Sequence, residues 1–304
     1  MNLNDLLAAY LAERLVQPAT AQQFRAVLRL WQQDVGLAEI EQITKSDLLR
    51  WRDLILGRAS PTTWNNYLRH LRVLGNYGCQ EGLVAGNPFA SVRFVRVPKV
   101  PPKAIPLSTV AEALTALEQD TVACQPGWFW AAVVGVLYTT GIRRRQLVGL
   151  RWRDVDFAQK RMTLRADTSK TRMQWTIPLR EDSLLFLNRV REQTEGRIGP
   201  LAAQDARQVF NVTLFNPRYR GGALTEMKVS GFFRRLSEKL GQPISSHKLR
   251  HTFASQLAPH GDLKALQTLL GHTDVRTTLG YVTSDLQQMR ALIDRLAVAA
   301  PPEG

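Results

Sequence analysis

The sequence predicts a mainly α-helical protein with one small β-sheet, an all-helical N-terminal domain being followed by a larger α+β domain. Three observations predict it. Over the first 93 or so residues, the apolar positions recur only at three- and four-residue spacing. The stretch "RVPKVPPKAIP", residues 96–106, then interrupts the pattern, because proline removes a backbone donor and restricts the residue before it. Beyond it, "RMTLRA" and "MQWTIPL" gather β-forming residues on either side of "DTSKTR", a hairpin signal set among otherwise helical segments.

Taken in order, Thr44 followed three residues later by Asp47 opens "TKSDLLRWRDLIL" with a capping-box pattern. Ser60 and Pro61 supply a cap and an N1 proline for the next helix. In that helix Trp64, Tyr67, Leu68, Leu71 and Leu74 form one buried stripe, so its aromatic residues read as core and not as stacking groups. The proline-rich stretch reads as an extended linker carrying Lys99 and Lys103. After it Ser108 is expected to cap "TVAEALTALEQ", and "WFWAAVVGVLYTTG" to form a buried helix stopped at Gly141. Helical patterns resume at "EDSLLFLNRVREQ", "VSGFFRRLSEKL", "HKLRHTFASQLA" and "DLKALQTLLG". In the tail, Leu286, Met289, Ile293 and Leu296 share one face, which suits docking either on a neighbouring molecule or on its own domain. The expected boundaries are 1–95, a linker at 96–106, 107–283 and a tail at 284–304.

A chain of 304 residues is long enough for two domains with separate cores. Its apolar runs fall short of the roughly 18 to 20 residues a membrane span needs, and "MNLNDLLAAYLAERLVQ" lacks the basic start of a secretory signal, so the cytoplasm is the expected location and no membrane partner is expected. Cys79 and Cys124 have neither disulfide-framework nor metal-ligand spacing. The net charge of +14 is uneven: residues 143–250 hold 23 basic against 10 acidic side chains, so nearly all of the excess sits in about a third of the chain. A polyanion is the natural partner of such a surface.

Three of the five histidines, His247, His251 and His272, fall within 26 residues, beside Arg250 and ahead of Tyr281. His247 and His251, four apart, have the spacing of a zinc helix, but Lys248, Leu249 and Arg250 intervene, with no carboxylate base and two crowding cations. An anion site fits better. Arg250 lies one helical turn from His247, and a guanidinium fork holds two phosphate oxygens while an imidazole adds a further hydrogen bond. Arg143, in "TTGIRRRQLVGLRW", follows a glycine stop and can supply a second clamp; Lys170, at the hairpin tip, can swing to the same place. Tyr281 brings an aromatic hydroxyl. Each residue taken alone is compatible with an ordinary structural role.

Together these residues give a resemblance: the chain looks like a tyrosine recombinase of the phage integrase family, with a simple two-domain, Xer-like architecture. The matching positions are Arg143 in "TGIRRRQL", Lys170 in "TSKT", His247 and Arg250 in "HKLRH", His272 in "LLGHTDVRTT", and Tyr281 nine residues after that histidine. The first domain resembles the family's helical, SAM-like core-binding domain through "NNYLRHLRVLGNYGCQEGLVAGNP". One position departs: three residues after the first arginine, where the family usually carries an acid that supports it, stands Gln146. That bears on the fine positioning of Arg143, not on the reaction class.

The resemblance implies site-specific strand exchange on double-stranded DNA. Tyr281 would attack a phosphodiester, form a 3′-phosphotyrosyl link and release a 5′-hydroxyl, conserving bond energy without ATP, metal or other cofactor. Because a tyrosine hydroxyl has a pKa of about 10, its proton must leave during attack, which His247 would assist. Arg143 and Arg250 would hold the non-bridging oxygens, His272 would add a hydrogen bond, and Lys170 would protonate the leaving oxygen. His251 and Gln146 are expected in support, with His251 pointing away from the reacting groups. Lys99, Lys103, Arg144 and Arg145 are the candidate DNA contacts, with exposure to solvent alone as the other reading of Arg144 and Arg145. The family further implies a recombination site with inverted repeats, a homotetramer on synapsed DNA, and an accessory DNA-bending protein or directionality factor as candidate partners. It also implies a bacterial or phage-encoded protein at the nucleoid, with integration or excision of a mobile element among its roles. A type IB topoisomerase-like nicking and resealing enzyme and a non-catalytic DNA-binding regulator are the alternatives, separated by strand exchange and by adduct formation.

Overall fold

A computed structural model describes residues 1–98, 104–168, 173–202, 205–219, 222–260, 262–271 and 278. The chain divides into two compact units, Met1–Val100 and Pro101–Gly304.

The first unit is helical. Its helices are α1 (Leu3–Glu13), α2 (Pro18–Asp34), α3 (Lys45–Arg58) and α4 (Pro61–Gln80), with 3₁₀ turns at Ile40–Gln42 and Pro88–Ser91. The capping box at Thr44 forms as its sequence dictates: the Thr44 side chain accepts from the Asp47 N–H, and Asp47 accepts from the Thr44 N–H at 3.0 Å. These bonds, with Arg50 alongside, hold the Asp47 carboxyl down to about 2. The Trp64, Leu68, Leu71 and Leu74 stripe is fully buried. Trp51 lies between Trp31 and Trp64, edge to face at 5.0 and 5.4 Å, so the indoles are the packing centre of this unit.

The second unit is built around α6 (Gly127–Thr140), whose residues Phe129–Leu137 are buried on every side. Packed against it are α5 (Leu107–Glu118), α8 (Glu181–Ile198) and α10 (Ser246–Leu257). Two further helices, α7 (Arg144–Gly149) and α9 (Glu226–Leu240), pack together, and α11 (Leu263–Leu270) follows α10. The expected hairpin is present as β2 (Arg161–Leu164) antiparallel to β3 (Trp175–Pro178), with Met162 opposite Ile177 and Leu164 opposite Trp175. Met162, Leu164 and Ile177 turn inward, as alternation requires. The two-residue β1 (Val155–Asp156), which completes a sheet of order β1-β2-β3, is too short to leave a periodic signal.

Two element ends differ from expectation. Ser108 does not cap α5: Pro106 takes the N-cap position, and the helix starts at Leu107, which puts Ser108 inside the first turn. Pro106, with its φ fixed by the ring at −54°, ends the linker two residues sooner than a cap at Ser108 would. Helix α9 begins at Glu226, capped by Thr225, three residues ahead of the apolar pattern. The tail at 284–304 lies outside the described residues. Among the described residues, no helix is long and apolar enough to cross a membrane.

Candidate active site

The site starts where α6 stops. Gly141 closes the helix in the left-handed region at φ 63°, and its missing side chain gives way to Phe253 of α10: a Cβ there would stand 2.3 Å from the ring. The turn buries Ile142 and sets Arg143 at the N-cap of α7 with extended backbone. Gln146, buried three residues on, accepts the Arg143 backbone N–H at 2.7 Å through Oε1. Its Nε2 is buried with no hydrogen-bond partner among the described residues. The amide thus does the capping with one end and leaves a donor unused at the other. Gln146→Ala, which removes the acceptor of the Arg143 N–H, is expected to lower unfolding free energy by about 1–2 kcal/mol in urea titration. Gln146→Glu keeps the acceptor and adds an anion to the first helical turn, so it is expected to be at least as stable as the natural chain.

Arg250, on α10, is 4% exposed, and its fork joins two helix ends: Nη1 donates to Gly141 O and Nη2 to Leu270 O, each at 2.7 Å. Arg143 reaches the same place, with Nη1 donating to Leu270 O at 3.2 Å and Nη2 to Gly271 O at 3.5 Å. Carbonyls at a helix C-terminus lack intrahelical donors and carry the negative end of the helix dipole, so they suit guanidinium partners. Two guanidiniums meet at one carbonyl oxygen. Two planar forks brought to one point match the several oxygens of a phosphate, so the arrangement suits an anion.

Helix α11 is held there by the hairpin. Trp175 of β3 fills the space over Gly271, whose added Cβ would lie 2.3 Å from the indole, and Trp175 Nε1 donates to Leu269 O at 3.4 Å. Strand β3 is therefore fastened to the helix end that both arginines grip. Lys170 itself, with His272, Tyr281, Lys99 and Lys103, lies outside the described residues. Trp175 and Phe253 were not singled out by sequence reasoning. Trp175 carried only a β-propensity signal, and Phe253 only a place in a helical pattern.

His247 and His251 occupy one face of α10. Their Nε2 atoms are 2.8 Å apart and their rings are nearly perpendicular, with centroids 4.3 Å apart. The two histidines share a helix face, as their four-residue spacing requires, so His251 stands against His247 and does not point away from all the reacting groups, contrary to the expectation from its one-residue offset from Arg250. Burial, then Arg250 and Arg143, depress the His247 pKa. Burial, then His247 and Arg250, push His251 down to about 4. Both imidazoles are thus neutral at pH 7.

The neighbouring arginines face neither solvent alone nor open space. Arg144 pairs with Glu226 at 3.1 Å and donates to Ser230, both on α9. Arg145 donates to Asp167 O at 3.1 Å, three residues before Lys170. Arg144 and Arg145 therefore brace α7 against α9 and against the hairpin. Among the described residues, no group of three or more His, Cys, Asp or Glu side chains could hold a metal ion.

The helical fold with its small sheet has counterparts in known proteins. The model of the phage integrase family matches residues 109–288. The chain belongs to that family, the tyrosine recombinases, which are DNA breaking-and-rejoining enzymes. Tyrosine recombinase XerD of Pseudomonas putida is 30% identical over 303 residues, covering 95% of either chain. A Pseudomonas aeruginosa sequence carrying the provisional name tyrosine recombinase XerC is 28% identical over 98% of this chain, which spans 73% of its length. Among solved structures, the Tn1549 transposon integrase in complex with a circular intermediate DNA superposes with a TM-score of 0.78 at 22% identity, covering 97% of this chain and all of that one.

Proposed function

We propose that the protein is a site-specific DNA recombinase that cuts and rejoins DNA through a covalent link between Tyr281 and a 3′-phosphate. The observation that carries this reading is the convergence of Arg143 and Arg250 on the Leu270 carbonyl, two residues before His272. A scissile phosphate seated on the two guanidiniums has its non-bridging oxygens neutralised as negative charge builds on a pentacoordinate phosphorus. His247, neutral at pH 7, is in the state that can take the tyrosine proton as the phenolic oxygen forms its bond to phosphorus. Lys170 protonates the departing 5′-oxygen, and His272 hydrogen-bonds the phosphate or the tyrosine. Reversal with a partner strand's 5′-hydroxyl completes the exchange. The bond energy is held in the phosphotyrosine throughout, so no ATP is consumed.

Several features of the reading come from the family. They are a cytoplasmic, nucleoid-associated protein, a first unit that binds the core DNA site, a proline-rich linker bearing Lys99 and Lys103, inverted-repeat half-sites, and four copies joined through their tails. A solved structure of similar fold supports the count of four copies, since one lambda integrase structure is a tetramer bound to a Holliday junction.

The test is covalent capture. The protein is mixed with sheared genomic DNA of its host cell in EDTA and denatured in SDS, and the attached DNA is sequenced. Adducts are expected that map to one inverted-repeat site, and Tyr281→Phe is expected to abolish them. Salt-sensitive DNA binding with no adduct would replace the reading by that of a non-catalytic regulator. Adducts scattered without site preference would favour a topoisomerase-like nicking enzyme.

A further inference from the structure

We infer that His251 is a positioning residue that fixes the tautomer of His247: it engages His247 Nε2 through a shared proton and leaves Nδ1 as the nitrogen open to proton uptake. This rests on the reading of His247 as the group that takes the tyrosine proton, and it deepens that reading.

The geometry restricts the protons. Two imidazole Nε2 atoms 2.8 Å apart cannot both carry hydrogen, which would collide, nor both present lone pairs, which would repel. One proton sits between them. Either His251 donates and His247 carries its own proton on Nδ1, or His247 donates from Nε2 and its Nδ1 holds a free lone pair. Only the second arrangement can accept a proton at His247 Nδ1, and His251 is then the acceptor that stabilises the product. When the Tyr281 O–H proton moves to His247 Nδ1, His247 becomes an imidazolium donating through Nε2–H to a neutral His251. The pair passes from two protons to three, the phenolic oxygen bonds to phosphorus, and the bond from phosphorus to the 5′-oxygen breaks as that oxygen is protonated by Lys170. Rejoining returns the proton by the same path.

The surroundings keep the pair in its two-proton state until then. The charged groups acting on it among the described residues are Arg250 on the same helix and Arg143 from the junction of α6 and α7. Both oppose an extra proton, and burial acts in the same direction. Burial, then His247 and Arg250, likewise oppose charge on His251. The edge-to-face packing of the rings holds the arrangement without help from substrate.

The experiment uses the full chain with His251→Phe, which keeps the ring and removes its nitrogens, and His251→Gln, which restores an acceptor oxygen. In ¹⁵N-histidine NMR of the DNA-free protein, natural His247 is expected in a single tautomer with Nδ1 unprotonated, titrating below the ordinary value of 6.5. His251→Phe is expected to release that tautomer preference. Its rate of adduct formation on sheared genomic DNA is expected to fall about tenfold at pH 7, with the acid limb of the pH profile moved lower and DNA affinity unchanged. His251→Gln is expected to recover most of the rate. A mixed tautomer in the natural protein, or a His251→Phe enzyme with natural rate and profile, would overturn the inference. Because the NMR needs no turnover, a natural protein that forms no adduct yet shows the fixed tautomer would sink the catalytic reading while leaving the pair in place.

Discussion

Arg250→Ala is expected to slow adduct formation by about 10²-fold or more, since each preorganised donor to a developing oxyanion is worth that much. It is also expected to destabilise the second unit. With Arg250 gone, the carbonyl of Gly141 loses its 2.7 Å donor in a site where the side chain was 4% exposed. A buried acceptor left unpaired costs about 1–3 kcal/mol, so a shift of that size is expected in urea unfolding. Arg250→Lys separates the two roles. An ammonium keeps the charge but cannot span Gly141 O and Leu270 O as a planar fork does, so it is expected to recover DNA affinity while leaving most of the rate loss. Natural cleavage rates in Arg250→Ala would refute the clamp.

Gly141→Ala is the second substitution with a large expected effect. An alanine at φ 63° costs about 1–2 kcal/mol of backbone strain, and its Cβ, 2.3 Å from the Phe253 ring, forces α10 or the ring to move at about 1–3 kcal/mol more. The consequence reaches catalysis because Gly141 O is an acceptor for Arg250, and Arg143 lies two residues further on. A fall of at least tenfold in adduct formation is expected alongside the lowered stability. Combining it with Phe253→Ala should return part of the packing loss and none of the strain, which a double-mutant cycle in urea would show as a coupling between the two positions.

Much of this was legible from local pattern. The cap at Thr44, the proline entry at Pro61, the stripe from Trp64 to Leu74 and the glycine stop at Gly141 depend on interactions within a turn or two of chain. The hairpin was equally plain, since alternation over four residues is a short-range signal. Strand β1 and the early start of α5 were not. One has too few residues to be periodic, and the other was decided by the fixed φ of Pro106 against the capping preference of Ser108.

The sequence by itself determined the chemistry available: two arginines, a histidine motif and a tyrosine in an order that marks the family, and a charge excess concentrated around them. Only the tertiary structure decided how the described members of that set are placed. Residues 143, 250 and 270 lie far apart in the chain, and they meet because α6 and α11 end at the same place, with carbonyls that need donors. The same packing committed Arg144 to Glu226 and set Trp175 over Gly271. Spacing along a helix lists which neighbours a side chain can reach. Which of them it takes depends on burial and on unpaired groups brought by other elements, and no local stretch of sequence records those.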